Sequence, residues 1–254
     1  MNNLSKQIGI SSGPSTIRII SVISCMISIT VPLHIFARNT ANQTSLYATL
    51  LSSLAGIISA FLLATVVEWT VHRYAMHKGK RISIFRIATE LHHKAHHWVY
   101  YTPNHYVNPE PINRPSVLAP DKTKLCQSKL VILLTTFSHA AFYSFLTVPI
   151  LILAWLITVN IWFTISMVLM ASIFIYLFIR VHDAVHHPGL SWLERFNWFW
   201  FLDHHHYIHH IDNNANTNFL LPLTDLLMGT LRTELSNEEL VMWPTYSDAR
   251  KVPN

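Results

Sequence analysis

Five histidines fall within seven positions in the stretch Phe201 to Asn218, FLDHHHYIHHIDNNANTN: His204, His205, His206, His209 and His210. Crowded imidazoles repel one another when protonated and gain little from packing, whereas neutral imidazole is the commonest metal ligand in proteins. Histidine-rich, cysteine-free ligand sets suit iron, zinc or copper. For this stretch alone the plainer reading is a His-rich surface tract. Three further clusters argue against it: His72-Arg-Tyr-Ala-Met-His77, His92-His93-Lys-Ala-His96-His97 and His182-Asp-Ala-Val-His186-His187. The tract 206–210 repeats the His-x2-His-His spacing of the second cluster.

Spacing says which of these can share a face. His72 and His77 are five apart, about 140° around an ideal α-helix. Either the helix loosens there or the two rings serve different ions. His93 with His96 and His97 makes one patch at i, i+3 and i+4; His92 with His96 serves nearly as well, and spacing does not decide between them. His182 and His186 lie one turn apart, without the intervening Glu of the metalloprotease helix. Glu68 stands one turn before His72, placed either to accept the hydrogen bond of that ring's other nitrogen or simply to mark a membrane boundary. His105, His204 and His205 have no pattern partner, and His34 and His139 stand alone in apolar runs. Ten patterned histidines exceed the four to six ligands of one ion, so two ions are expected. Two irons make the most chemical sense beside an apolar substrate channel; zinc takes similar ligands, and spacing does not separate the two.

The elements that must position these clusters are membrane helices. The chain has 254 residues, 51% hydrophobic and only 12% charged, against about 25% charged in soluble domains. Cys25 and Cys126 are far apart and form neither a disulfide framework nor a zinc ribbon. After a polar tail, 1–16, apolar runs predict spans at about 17–36, 46–69, 130–154 and 160–181, each near the 20 residues that cross a bilayer core. The 52-residue run Leu130 to Val181 is a hairpin of two spans turning between Ala154 and Asn160. Prolines at 103, 109, 111, 115 and 120 rule out a continuous helix there, and Tyr100, Tyr101 and this loop suit an interfacial aromatic belt or a substrate entrance. Four spans place both termini on one side, with every Lys and Arg but Arg38. The positive-inside rule makes that side, and all four histidine clusters, cytoplasmic. The same distribution accounts for the +5 charge without nucleic acid.

The order His-x4-His, His-x2-His-His, a hairpin of spans, His-x3-His, then His-x2-His-His resembles the fatty acid hydroxylase superfamily of membrane hydroxylases and sterol desaturases. The resemblance extends to Glu68-Trp-Thr-Val-His-Arg-Tyr-Ala-Met-His77 and to Asn218-Phe219, Pro222, Asp225 and Gly229-Thr230. It covers about residues 46 to 234. Leu220 stands where that family often has glycine, and no fused cytochrome b5 signature is present in the sequence. The resemblance implies an all-α protein: a four-helix membrane bundle with a cytosolic helical cap holding a di-metal site. It implies the ligands His72, His77, His93, His96, His97, His182, His186, His206, His209 and His210.

The expectation is an oxygen-dependent di-iron lipid hydroxylase that takes a fatty acyl or related lipid from the bilayer. An external donor of cytochrome b5 or ferredoxin type would supply the electrons, in a bacterial inner membrane or the endoplasmic reticulum. Desaturation needs the same metals and is the rival within the class. A metal transporter is the rival outside it, but that would carry its polar ligands along a path in mid-span, where this chain has almost none.

Overall fold

The computed structural model describes residues 14–79, 82–97, 99–100, 117–118, 148–186 and 191–242. The described chain is helical apart from a two-residue parallel pairing of Val99–Tyr100 with Val117–Leu118. In order, the α-helices are α1 (Thr16–Asn39), α2 (Leu46–Thr70), α3 (Ser83–His92), α4 (Val148–Thr158), α5 (Ile161–His186), α6 (Asn197–Ile211), α7 (Leu223–Met228) and α8 (Asn237–Met242). Two of them run on as π-helix: α2 through Val71–His77 and α3 through His93–His97. The tail 1–13, the expected third span up to residue 147, the loop 101–116, and with them Tyr101, His105 and His139, lie outside the described residues.

Packing divides the chain into two compact units. The first to consider comprises Ser15–Val67 and Ser128–Ile179. Among the described residues three helices are long and apolar enough to cross a membrane: Thr16–Asn39, Leu46–His77 and Ile161–His186. Ile20, Leu50 and Leu169 are 59%, 60% and 59% exposed, a surface suited to lipid rather than water. What the helices bury is small: Ala37, Ala55, Ala60 and Ala154 surround Phe163 and Met167. Lipid gives no hydrophobic drive for helix pairing, so close backbone approach must supply the contact. Gly56 is the tightest such place, for a Cβ there would collide with the Phe163 carbonyl and the Ser166 hydroxyl.

The expected hairpin turn is present at Val159 and Asn160, between α4 and α5. Val159 adopts a left-handed φ of 50°. Asn160 caps α5, its Oδ1 accepting from the backbone of Trp162 and Phe163 at 3.1 and 3.0 Å. Its Nδ2 donates to the Ala37 carbonyl at 2.7 Å and to Ser52 Oγ at 3.2 Å. Thr40 Oγ1 lies 2.8 Å from Ser52 Oγ. One buried amide thus joins α1, α2 and the turn, with its hydrogen-bonding groups satisfied as an apolar surrounding requires.

The second unit comprises Met1–Pro14, Glu68–Gln127 and Arg180–Asn254, and it holds the four histidine clusters. Ser191 and Glu194 form a capping box that starts a short 3₁₀ turn, Trp192–Arg195, ahead of α6. Helix α7 ends at Gly229, whose φ of 68° needs a residue without Cβ. Arg232 then bridges Asp212 at 3.0 Å and Glu239 at 2.7 Å, tying the end of α6 to α8.

Candidate metal centre

The π segments resolve the five-residue spacing. An i→i+5 turn is wider than an α turn, and it brings His72 and His77 into one stack, ring centroids 5.0 Å apart at 26°. The helix loosens rather than sending the two rings to different ions. The second cluster obeys the same spacing: across the passage from α3 into π-helix, His92 and His97 meet at 4.8 Å. These four converge with His209 of α6, one candidate ligand atom from each lying within 4.8 Å of the others. The Nε2 atoms of His72 and His92 are 3.2 Å apart, those of His77 and His209 3.0 Å.

A second group forms beside it from His96, His182, His186 and His206. His210 joins them, its Nε2 3.1 Å from the Nε2 of both His96 and His206. The Nε2 atoms of His186 and His206 are 3.0 Å apart. His96, His97 and His210 form a third combination, through which the two groups adjoin. Ten imidazoles are therefore gathered as five and five. Helix α6 lies along the seam: His209 faces one group and His206 the other, while His210 sits between them, bonded to the second group and stacked on His97 of the first.

Nine of the ten residues expected as ligands are brought together. His93 is the tenth, and it belongs to neither group of five; its Nδ1 donates to the Thr89 carbonyl at 2.7 Å. His92 occupies the corresponding place. On a straight α-helix His93 and His97 would share the face, but the π turn rotates His97 one residue further and selects His92. His34 stays apart as expected, its Nδ1 bonded to the Thr30 carbonyl and its ring edge-on to Phe163.

Backbone carbonyls prepare the first group for a cation. A carbonyl can only accept, so His72 Nδ1 must donate to Thr217 O at 2.8 Å and His209 Nδ1 to Ala215 O at 2.7 Å. Each ring, when neutral, then presents its Nε2 lone pair to the group. Burial, followed by the neighbouring rings, pushes His92, His97, His206 and His210 well below the ordinary imidazole pKa; burial and then His72 do the same for His209. His97 is 1% exposed, and neither ring nitrogen has a hydrogen-bond partner. A buried polar atom without a partner is costly, and a metal bond removes that cost. The spacing fits too. Two imidazoles at right angles on an ion with bonds of about 2.1 Å have nitrogens about 3.0 Å apart, close to the 3.0–3.2 Å observed.

Glu68 does not meet His72. Its Oε1 accepts from the Phe219 backbone at 2.7 Å and its Oε2 from the Asn218 side chain at 3.2 Å. His205 is likewise a latch, donating from Nε2 to the Asn218 carbonyl at 2.6 Å, and His204 Nε2 lies 2.9 Å from the Thr233 carbonyl. In the sequence, Asn218, Phe219 and Asp225 stand out singly, but nothing in their spacing marks 215–230 as one frame. Comparison with protein-family models, with characterised proteins and with solved structures finds no match to this chain.

Proposed function

We propose that this chain is a membrane di-iron oxygenase that hydroxylates an aliphatic carbon of a lipid. The observation that carries the reading is the gathering of ten buried or half-buried imidazoles into two adjoining groups, in a chain with three membrane-capable helices. Resemblance of the spaced clusters to the fatty acid hydroxylase superfamily points the same way. In the first group His72, His77, His92, His97 and His209 would hold one ion; in the second His96, His182, His186, His206 and His210 would hold the other. When bound, iron at such a pair of all-nitrogen sites supplies oxygen activation toward an unactivated C–H bond.

The chain's own part is to orient and exclude. The Thr217 and Ala215 carbonyls keep Nε2 of His72 and His209 deprotonated and aimed inward. Burial favours the neutral form of His92, His97, His206 and His210 and would keep water from the reacting carbon. The Phe219 ring, edge-on to His182 and His206 at 5.2 and 4.9 Å, adds an apolar wall to the second group. In this reading the four-span bundle and the cytoplasmic histidine face follow from the distribution of apolar and basic residues, and an external donor would supply the electrons because the sequence carries no fused cytochrome b5 signature.

The test is lipid turnover by the full chain in nanodiscs, supplied with ferrous iron, oxygen and a ferredoxin or cytochrome b5 reducing system. A lipid product heavier by one oxygen, carrying label from ¹⁸O₂, is the expected result. A product lighter by two hydrogens would make the chain a desaturase. Tight binding of two irons with no product from any lipid class would overturn the oxygenase reading.

A further inference from the structure

The segment Ala215–Phe219 touches both imidazole groups, and a single carboxylate holds much of it. Its Ala215 and Thr217 carbonyls fix His209 and His72 in the first group, and its Phe219 ring packs against the second. Thr217, Asn218, Phe219 and Asp225 are all fully buried. Asp225 accepts four donors on two oxygens. Oδ1 takes Trp69 Nε1 at 3.1 Å, the Thr217 hydroxyl at 3.3 Å and the Thr230 hydroxyl, while Oδ2 takes the Asn218 backbone N–H. In return the Asp225 backbone N–H donates to Asn218 Oδ1 at 3.2 Å. The peptide whose carbonyl oxygen orients His72 is thus the peptide whose N–H is gripped by Asp225.

We propose that Asp225 is a positioning residue for one of the two groups. It holds the Thr217–Asn218 peptide so that the Thr217 carbonyl fixes His72 with its Nε2 lone pair facing His92. Asp225 is not a ligand, since both its oxygens are engaged in the frame. Its influence is directional: among the described residues the Thr217 carbonyl reaches His72, whereas the segment's contact with the second group is that of the Phe219 ring, which imposes no tautomer. Loss of the carboxylate should therefore weaken one ion of the pair and spare the other. This rests on the two-ion reading.

Replacement by asparagine makes the argument testable, because an amide cannot accept on both sides. If its NH₂ takes the Oδ2 position it opposes the Asn218 N–H. If it takes the Oδ1 position it opposes the Trp69 indole N–H, whereas the two hydroxyls there can turn to accept. Trp69→Phe removes that second conflict, so the double variant lets the amide oxygen return to Asn218.

The experiment is cobalt(II) titration of the metal-free full chain in nanodiscs, followed by visible absorption. The wild-type chain should take up two ions. Asp225→Asn should weaken one by about 10–100-fold, the usual effect of losing a partner behind a ligating histidine, and change the other less than about threefold. The double variant with Trp69→Phe should recover about tenfold of the loss, with Trp69→Phe alone as its baseline. Equal weakening of both ions, no weakening, or no recovery in the double variant would overturn the role of Asp225 while leaving two ions in the wild type. A wild-type chain that binds fewer than two ions would instead overturn the two-ion reading. Should Asp225→Asn fail to fold, Glu68→Gln carries the same test, since it sets an amide against the Asn218 amide on the other side of the strap. Unchanged binding of both ions in that variant would likewise overturn the proposal.

Discussion

His92 and His93 are adjacent, equally plausible by spacing, and placed in opposite roles, so exchanging each for alanine separates ligand from scaffold. His92 brings its Nε2 to 3.2 Å from that of His72, inside the first group. His93 hands its Nδ1 hydrogen to the Thr89 carbonyl. Structural zinc sites with four ligands bind with about 10–16 kcal/mol, about 3 kcal/mol per ligand on an even division. His92→Ala should then cost one ion about a hundredfold in affinity. His93→Ala should cost about 1 kcal/mol of stability for the lost hydrogen bond, plus the packing of a ring that is 8% exposed, and leave both ions in place. The assay is metal content per chain after dialysis against a graded chelator, paired with thermal melts of the metal-free proteins. Retention of both ions by His92→Ala, together with loss of one from His93→Ala, would refute the assignment and the π-turn argument beneath it.

Both His186→Ala and His209→Ala should abolish lipid turnover in folded protein, each with loss of one ion, because they remove a ring from different groups. His34→Ala should retain most activity and lose about 1 kcal/mol, since its ring nitrogen bonds only locally, to the Thr30 carbonyl; measured turnover and melts check all three. Gly56→Ala should destabilise the membrane unit by about 1–3 kcal/mol, read as denaturant unfolding in detergent, because the new methyl meets the Phe163 backbone as well as the Ser166 hydroxyl, and the backbone cannot turn aside. The metal-free protein should lose stability as pH falls below about 6.5. The buried His92, His97, His206, His209 and His210 have folded pKa values below their unfolded ones. The unfolded chain therefore takes up protons first, and each such group removes about 1.4 kcal/mol per pH unit between the two values. A melting temperature flat from pH 7 to 5 would contradict this.

The membrane helices were legible because lipid imposes a simple condition, a run of apolar residues long enough to cross. Thr16–Asn39 and Ile161–His186 extend the expected 17–36 and 160–181. Helices do not stop where apolarity does, and α5 carries His182 and His186 on its last turn. The turn was legible only as lying between Ala154 and Asn160, from an apolar run too long for one span. Asn160 caps α5 there while also satisfying the Ala37 carbonyl. The frame behind the histidines was only half legible. Asp225, Asn218 and Glu68 carry no periodic signature, and what joins them is hydrogen bonding across about 150 residues of chain, a relation that no local window contains.

The division of the second cluster shows most clearly where local reasoning stops. A pattern of i, i+3 and i+4 presupposes 3.6 residues per turn, and under that rule His93, His96 and His97 form one patch. The chain instead places π-helix at two of the points where histidines stand five apart, at His72/His77 and at His92/His97, whereas His204/His209 and His205/His210 have the same spacing on the regular α6. A π turn has poorer packing along its own axis and persists only where the surroundings over-determine it, which is why such turns gather at functional sites. Here the surroundings are visible. His72 is held by the Thr217 carbonyl, His77 lies against His209, and Thr89 of α3 donates to the Ala75 carbonyl at 2.8 Å, pinning the first π segment from outside. Two loosened turns facing each other bring four rings together that regular helices would point apart. Spacing alone does not foretell this, as α6 shows; what specifies the pocket is a pair of π turns set beside one helix of His-x2-His-His type.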